Sequence, residues 1–536
     1  MIWVDREAKK IKERAYPLEW VDDMKTPSGR IHVGALRGVV VYDLIYKALR
    51  ENGVSAKFTY VFEDHDPMDA IPSYLDFKKW EKYAGMQLYK IPSPYPGFKN
   101  YAHFYASEFQ GVFEKIGCHP KIIWGSKLYL SGKMNAVIKE VLDGTPKIRK
   151  IYERIAQAKK PADWHPFNVI CEECGKIGTT LVWKWDGTHV HYRCMPQMVA
   201  WAVGCGKTGK MSPYDGRGKI PWKVEWAAKW KVIGVTVEGA GKDHMSKGGS
   251  YDVASAVCKE VLNCEPPYPI AYEWFTVGGR KMSSSKGIGA SAYEVSQLLP
   301  SDVLRFFIVR TPIRTALDFD PRSEAIVNIF DDFDRCFSAY YTVQEGNVPA
   351  GKQGEVIVDF ARIFELSIIK KAPKRRVFLP RFRTIIRMIG EGPNREANER
   401  EILHFFTTQK EKPLTVFEKE LVRERIDCAR SYLQTHTISP ARKVTAPSPQ
   451  NFTQKQKEFL LQLTKELQKL HHPSKETIQS TLFSLLKKKQ FSPREVFPAF
   501  YTVLIGKTYG PKAGELIADM GMEKTIEKIK GFVKNI

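Results

Sequence analysis

The chain has 536 residues, and 83 lysines and arginines against 60 aspartates and glutamates give it a formal net charge of +23. This length exceeds what one hydrophobic core holds, so we expect two to four domains, and 43% hydrophobic residues exclude a disordered chain. The charge favours an anionic partner, most simply nucleic acid, and we expect neither a signal peptide nor a membrane-spanning helix, since no run approaches roughly 18 apolar residues.

The first segment, residues 1 to about 90, alternates strand and helix as nucleotide-binding domains do. A short apolar strand at Leu18–Val21 leads into the turn Pro27–Gly29, after which apolar residues recur at helical spacing from about His32. The aromatic and β-branched residues of Ala56–Phe62 predict the next strand. Such a strand–loop–helix–strand unit is typical of a parallel sheet with a ligand crevice at its edge.

The loop of this unit has the features of a phosphate site. Its backbone N–H groups and the positive end of the helix face outward, where anions bind. His32 stands at that helix end as a hydrogen-bond donor, and Gly34 leaves room for a nucleotide. Asp64 or Asp66, just after the second strand, would hold a substrate ammonium in the same crevice, or else belong to a capped turn.

Residues 91–215 no longer show the alternation of strand and helix, and they are predicted to form an insertion. A helix is expected at Tyr101–Ile116, after a proline-rich loop. Four cysteines follow at a spacing that fits a tetrahedral, structural zinc site, although the second pair is not CxxC. His189 and His191 are alternative ligands, and the thiols could also be free. The four are Cys171, Cys174, Cys194 and Cys205.

Residues 216–290 return to the α/β pattern. Trp222, Trp226 and Trp230 share one helical face, which is more often packing than a ligand site. The strand-like Tyr272–Phe275 precedes the loop Lys281-Met282-Ser283-Ser284-Ser285-Lys286-Gly287, whose flanking glycines suit a lid that closes on triphosphate. An odd number of cysteines, nine in the whole chain, indicates reduced thiols and a cytoplasmic protein.

From about residue 330 the pattern is helical. Leu460, Leu463, Leu467 and Leu470 fall on one helix face. Clusters of basic residues, such as Lys370–Arg387, would contact RNA phosphates or form ordinary solvated faces.

The chain resembles class I lysyl-tRNA synthetases over nearly its whole length. The motifs that carry the resemblance are TPSGRIHVG (26–34), EDHDPMDAIP (63–72), WKVEWAAKW (222–230), AGKDH (240–244), KMSSSKG (281–287), PRFRTIIRMI (380–389) and IGKTYGPKAGELIADMG (505–521). The first and fifth are similar to the two ATP-binding signatures of class I enzymes, written HIGH and KMSKS.

The resemblance implies an α/β fold with a defined domain order. A Rossmann-type catalytic domain (1–90 and 216–290) would be interrupted by a zinc-bearing insertion (91–215). A stem-contact module (291–350) and an all-α anticodon-binding domain (351–536) would follow. The implied reaction is activation of L-lysine by ATP and Mg²⁺ to lysyl-adenylate, followed by transfer to tRNA(Lys), and one structural Zn²⁺ is implied beside it.

The resemblance also implies roles for individual residues. His32 and Lys281 would be catalytic, because they stabilise charge on the phosphates. The implied ATP-binding residues are Ser28, Gly29, His32, Gly34, Lys281, Ser283, Ser285 and Lys286. The implied lysine pocket contains Thr26, Trp222, His244 and Tyr272, with Glu225 or Asp64 meeting the substrate ammonium.

The chain departs from the family pattern at several positions. Asp23-Met24-Lys25 stands where the family has Ser-Gly-Ile, so Met24 narrows or reshapes the lysine pocket, and Ala35 replaces an asparagine. A Cys-His pair of some members is absent near 97–100, so we expect at most one zinc. Alternatives are a glutamate, cysteine or arginine enzyme of the same class, a non-catalytic tRNA-binding paralogue, and a nucleotidylyltransferase.

Overall fold

The computed structural model describes residues 1–277, 280–281, 291–320, 324–390, 398–437, 452–470, 473–505 and 512–533. The chain divides into two compact units, Met1–Thr435 and His436–Ile536. None of the helices in these described ranges combines the length and the apolar character that crossing a membrane requires.

The strands and helices are named here in chain order. The strands are β1 (Glu19–Lys25), β2 (Ala56–Phe62), β3 (Lys121–Trp124), β4 (Asn168–Val169), β5 (Thr180–Trp185), β6 (Val190–Cys194), β7 (Thr208–Met211), β8 (Gly218–Lys219), β9 (Val237–Glu238), β10 (Tyr268–Pro269), β11 (Phe275–Val277), β12 (Arg280–Lys281) and β13 (Leu317–Asp318). The helices of the first part are α1 (Trp3–Lys12), α2 (Gly34–Glu51), α3 (Phe77–Trp80), α4 (Tyr101–Lys115), α5 (Gly125–Leu130), α6 (Asn135–Asp143), α7 (Thr145–Ala156), α8 (Trp222–Ile233), α9 (Lys242–Met245), α10 (Ser250–Glu260), α11 (Ala292–Ser296) and α12 (Ser301–Val309). The later helices are α13 (Ala325–Gln344), α14 (Lys352–Ser367), α15 (Phe382–Gly390), α16 (Glu399–Lys410), α17 (Val416–Thr437), α18 (Gln454–Leu467), α19 (Lys475–Lys489), α20 (Pro493–Ile505), α21 (Ala513–Met520) and α22 (Met522–Val533).

A five-stranded sheet in the order β10-β9-β1-β2-β3 forms the centre of the first unit, and all its pairings are parallel. Helix α2 connects β1 to β2, and Gly53 after it takes a left-handed φ of 75° that ends the helix. The strand–loop–helix–strand unit predicted from the sequence is therefore present. β2 has the predicted bounds, and α4 matches the predicted helix to one residue.

The first part of the range predicted as an insertion belongs to this sheet instead. β3 pairs in parallel with β2, with Tyr60 opposite Ile122, and α4 is the crossover that leads to it. The prolines near residue 95 mark a loop within the nucleotide-binding fold and not its end. The separate module begins only after α7, where β5, β6 and β7 form an antiparallel sheet and β4 pairs with β8.

The central sheet is buried on both faces, as a parallel sheet requires. Successive side chains of a strand point to opposite faces. Tyr60 and Phe62 accordingly enter the core that contains α2 and α12, while Val61 enters the core that contains α8 and α10. This alternation fixes which residues at the end of each strand meet which helix.

Two cysteines differ from the expectation of reduced thiols. Cys258 and Cys264 form a disulfide at the end of α10, six residues apart. The remaining cysteines are free thiols.

The second unit is helical, as predicted. Helices α18 to α22 share one hydrophobic core that belongs to this unit alone. Leu460, Leu463 and Leu467 are fully buried in it and Leu470 packs against it, so the predicted leucine stripe is a core face.

Candidate functional site

A cavity of about 860 Å³ opens at the carboxyl ends of β1, β2 and β9. This is the edge at which open α/β sheets bind ligands. The residues predicted from the sequence that line it are Thr26, Ser28, His32, Gly34, Trp222, Glu225, His244 and Tyr272. Met24 and Ala35, the two departures from the family pattern, line it as well. The fold thus brings the segment 24–35 and the distant residues of α8, α9 and the segment before β11 to one pocket.

The N-terminus of α2 forms one wall of the cavity. α2 has no side-chain cap, and the N–H groups of Ala35 and Leu36 in its first turn bond to the carbonyls of His32 and Val33. Tyr101 donates to the carbonyl of Ser28 at 2.9 Å, and the hydroxyl of Tyr74 accepts from the N–H of Arg30 at 2.7 Å, which fix the turn. Gly29 lies in the same turn but is not among the lining residues. An anion would meet backbone amides and the His32 side chain here.

The second predicted motif is described only at its first residue. Lys281 lies in β12, opposite Thr276 of β11, and its backbone follows directly from the cavity-lining segment that ends at Phe275. Its side-chain position is not described. The rest of the motif, with Ser283, Ser285 and Lys286, lies outside the described residues.

A buried cluster of three carboxylates and two lysines forms the floor of the cavity. Lys219 contacts Glu225 and lies 2.9 Å from Asp66, while Lys229 contacts Glu63 and lies 3.1 Å from Glu225. The side chains of both lysines are at most 7% exposed. Each buried carboxylate therefore has a resident cation.

The charges of this cluster shift the pKa values of its members in opposite directions. Burial raises the pKa of Glu63 to about 7, because Lys229 offsets only part of the desolvation. Burial also disfavours the ionised form of Glu225, but Lys219 and Lys229 outweigh it and lower its pKa to about 2. Glu225 is thus ionised and neutralised within the protein.

Asp64, the other carboxylate predicted to meet the substrate, lies outside the lining. It accepts hydrogen bonds from the backbone N–H of Ser126 at 2.7 Å and from its hydroxyl at 2.6 Å. The side chain is buried against the N-terminal part of α5. The structure therefore differs from the expectation that Asp64 faces the ligand crevice, because the adjacent turn carries its carboxylate toward α5.

Aromatic rings from α8 and α9 form another wall of the cavity. The Trp222 ring lies 5.6 Å from that of Trp226 and 5.1 Å from that of His244. Trp226 and Trp230 donate their indole N–H groups to Glu238, which is fully buried. The tryptophan stripe is partly a packing feature, as predicted, and partly a wall of the cavity.

Several functional candidates were not found from the sequence. Asp23, Lys25, Glu63, Lys219, Lys229 and Glu238 all line the cavity. One signal was present, since two adjacent aspartates in a strand predicted to be buried, Asp22 and Asp23, are unusual. The lysines gave no such signal. In the sequence, Lys229 cannot be distinguished from the lysines that lie on the exposed face of a helix.

The four predicted cysteines come together in the separate module. Sγ of Cys171 lies 3.6 Å from that of Cys205, and Sγ of Cys174 lies 3.7 Å from that of Cys194. All four sulfurs lie within 4.8 Å of one another. Zinc–sulfur bonds of about 2.3 Å in a tetrahedron place sulfurs about 3.8 Å apart, so the set fits one Zn²⁺. His191, a weighed alternative, contacts Asp186 and is not in the set.

Comparisons with known proteins show the family to which the chain belongs. A family model described as "tRNA synthetases class I (K)" matches residues 1–367, and one described as "Anticodon binding domain" matches residues 420–533. A lysine–tRNA ligase of Methanocaldococcus jannaschii is 30% identical over 99% of this chain and 100% of its own length. One of Methanosphaera stadtmanae is 27% identical over 98% of this chain and 99% of its own.

Solved structures resemble the chain only loosely. A glutamate tRNA ligase from Elizabethkingia meningosepticum is 12% identical, covers 96% of this chain and 99% of its own, and has a TM-score of 0.35. At that TM-score the likeness supports no further argument.

Proposed function

Because the chain belongs to the class I (K) tRNA synthetases, we propose that its cavity joins lysine to ATP and then to tRNA(Lys). The match of the family model to residues 1–367 is the observation that carries this proposal. That range contains the entire lining of the cavity. The matched anticodon-binding domain at 420–533 supplies the part that recognises the tRNA.

The reaction has two steps. The lysine carboxylate attacks the α-phosphorus of ATP, so that a carboxylate–phosphate bond forms and pyrophosphate leaves. A ribose hydroxyl of the terminal tRNA adenosine then attacks the activated carbonyl, and AMP leaves. Both steps depend on positioning and on stabilisation of negative charge more than on a nucleophile from the protein.

The phosphates would lie at the N-terminus of α2. Ser28, His32 and Gly34 line this end of the cavity, with Gly29 in the adjoining turn, and the positive end of the helix dipole favours negative charge there. Lys281, with Ser283, Ser285 and Lys286, would approach from the loop after β11. Mg²⁺ enters with ATP and supplies further charge neutralisation on the phosphates.

Lysine would occupy the aromatic part of the cavity. Trp222 and Tyr272 offer apolar surface to its four-carbon stem, and His244 and Thr26 complete the predicted pocket. Glu225 stands close by, but its charge is already neutralised by Lys219 and Lys229. Its role would be to hold these two lysines in place, with Tyr129 donating to it at 2.7 Å.

We also propose one structural zinc in the separate module. All four ligand positions would be filled by Cys171, Cys174, Cys194 and Cys205, which leaves none open for catalysis. Such an ion would fix the β5-β6-β7 sheet and supply no chemistry to the reaction.

The test of the proposed function is ATP–pyrophosphate exchange with each of the twenty amino acids, with and without total tRNA. We expect exchange with lysine. Exchange with another amino acid only would leave the reaction class in place and overturn the lysine assignment. Tight tRNA binding without any exchange would identify a non-catalytic paralogue.

The Lys281→Ala variant tests the role of the second motif. Loss of one donor to a transition-state charge typically costs about 10²–10³ in rate, so we expect lysine-dependent exchange to fall by that factor. Thermal unfolding should be unchanged, because Lys281 lies in a two-residue strand. Near-normal exchange in this variant would contradict the assignment.

A further inference from the structure

One part of the cavity, between α2 and the ends of β1 and β2, has no resident cation. Asp23 and Tyr60 are register partners on these neighbouring strands, so their side chains point to the same face of the sheet. Both line the cavity, with Asp23 only 7% exposed and Tyr60 fully buried. Tyr272 reaches the same place from the segment before β11.

Gly38 of α2 lets two of these side chains pack closely against the helix. A Cβ atom at this position would lie 2.7 Å from the hydroxyl oxygen of Tyr272 and 2.8 Å from Oδ2 of Asp23, which is too close for any side chain. The absence of a Cβ atom therefore allows both oxygens to lie near each other at the cavity. An ammonium nitrogen in the cavity beside them would have a carboxylate oxygen and a phenolic oxygen as acceptors.

The polar groups around this space are incompletely satisfied within the protein. The Tyr60 hydroxyl has no hydrogen-bond partner in the described part of the chain. Asp23 accepts from the backbone N–H of Met24 at 2.9 Å, but no described lysine or arginine lies at ion-pair distance from it. Lys25, two residues further along β1, is near enough to interact with Asp23 electrostatically but forms no ion pair with it.

Asp23 differs in this respect from the other carboxylates of the cavity floor. Glu63, Asp66 and Glu225 are each paired with Lys219 or Lys229. An unpaired buried carboxylate is costly unless a ligand cation completes it. Burial and the neighbouring Glu238 accordingly raise the pKa of Asp23, and a bound cation would lower it again.

We propose that Asp23, Tyr60 and Tyr272, which all line the cavity, form the subsite that binds the side-chain ammonium of the substrate lysine. The proposal rests on the proposed function. The three oxygens match the three N–H donors of an ammonium group, and the two phenol rings add apolar surface for the adjoining methylenes. The buried position suits the end of the substrate that is remote from the reacting carboxylate.

The first test is Asp23→Asn, which keeps the shape and removes the charge. We expect the KM for lysine in ATP–pyrophosphate exchange to rise about 100-fold, while the KM for ATP stays within a few-fold of wild type. The control is Asp76→Asn, which removes an exposed carboxylate outside the cavity lining and keeps a side chain able to cap α3. Its lysine KM should stay within twofold of the wild-type value.

Two further variants separate binding from folding. Tyr60→Phe removes a hydroxyl without a hydrogen bond, so the melting temperature should not fall while the lysine KM rises about tenfold. Gly38→Ala favours helix but places a methyl group between Asp23 and Tyr272, so lysine binding should weaken without unfolding. A wild-type lysine KM in Asp23→Asn, or in both other variants, would overturn the proposal.

Two inhibitors identify which ammonium group is bound. 6-Aminohexanoic acid keeps the side-chain ammonium and lacks the α-ammonium, whereas norleucine has the opposite arrangement. We expect Asp23→Asn to weaken inhibition by 6-aminohexanoic acid and to leave inhibition by norleucine unchanged. The reverse result would assign Asp23 to the α-ammonium and overturn the proposal. If the wild-type protein shows no lysine-dependent exchange, the proposed function fails first and the subsite with it.

Discussion

At the scale of single residues, the cavity is distinguished by lysines that belong to the protein itself. Lys229 is fully buried on α8 and neutralises both Glu63 and Glu225. A buried ion pair adds little to stability compared with apolar residues, but removal of one partner leaves an uncompensated charge. The ion pairs of Lys229 therefore add little net stability, but removal of Lys229 would leave Glu63 and Glu225 with an uncompensated buried charge.

We predict that Lys229→Met lowers the free energy of unfolding by about 3–5 kcal/mol, measured by urea denaturation. Lys231→Met is the matched control, because Lys231 lies on the same helix and pairs with Glu140 in a half-exposed ion pair. Its effect should stay below about 1 kcal/mol. Equal effects of the two substitutions would show that the loss of stability in Lys229→Met does not come from the buried charge cluster.

Glu238 should make stability depend on pH. Burial raises its pKa from 4.5 to about 7 in spite of two indole N–H donors, so the folded protein binds this proton more tightly than the unfolded chain. Its contribution is fully present below pH 4.5 and is lost as the pH rises to 7, by about 3 kcal/mol.

This prediction is tested by comparing wild type with Glu238→Gln. The unfolding free energy of the wild-type protein should fall by about 3 kcal/mol more than that of the variant between pH 4.5 and 7. The difference reports this carboxyl together with its effect on Asp22 and Asp23, whose pKa values it raises. Parallel curves for the two proteins would contradict the raised pKa.

The sequence predicts the part of the cavity at the N-terminus of α2 better than it predicts the floor of the cavity. His32 and Gly34 belong to a local motif in which turn, helix start and donor lie within a few residues. Asp23 and Tyr60 become neighbours only through the pairing of two strands, and Lys219 meets Asp66 across about 150 residues of chain. No local pattern contains such contacts, so they required the folded structure.

At the scale of elements, length decided which ones the sequence revealed. β2, with seven residues rich in aromatic and β-branched side chains, was predicted with its bounds. β3 has only four residues and owes its place to pairing with β2, so it was assigned to the insertion. Short strands are specified by their neighbours more than by their own composition.

The cysteine module offers an element-scale prediction. We expect the purified protein to contain about one equivalent of zinc, measured by atomic absorption, and Cys174→Ser to lose most of it. Backbone amides of β5, β6 and β7 should then exchange hydrogen faster, because the ion fixes that sheet.

The internal control for this exchange experiment is the other unit of the same molecule. Amides of α18, which belongs to the unit of residues 436–536, should exchange at the same rate with and without zinc. Metal-free wild-type protein with unchanged exchange in β5–β7 would contradict a structural ion.

At the scale of the whole molecule, the class and the broad order of domains were confirmed. The match at 1–367 shows the class I synthetase family, and the match at 420–533 shows the anticodon-binding domain. The compact units divide at residue 435 and not at the predicted 351, because α13 to α17 pack into the core of the first unit. Helical content alone gave no information on that boundary.

The unit of residues 436–536 should fold by itself. Its core is built on Leu460, Leu463 and Phe500, and the residues assigned to it in the described part of the chain lie between Phe452 and Phe532. We expect the isolated fragment to show a helical circular-dichroism spectrum and one cooperative thermal transition. A gradual, non-cooperative loss of signal would mean that this core depends on the rest of the chain.

The pairing of β4 with β8 connects the cysteine cluster to the pocket through a short series of contacts. Asn168 lies opposite Lys219, and Cys171 follows the same strand two residues after Val169. Lys219 in turn holds Asp66, whose other oxygen accepts from Thr26 in the pocket. If the four cysteines hold zinc as proposed, loss of the ion would loosen β4 and, through Lys219 and Asp66, the lysine pocket, so that less lysine would be joined to tRNA although the metal lies outside the cavity.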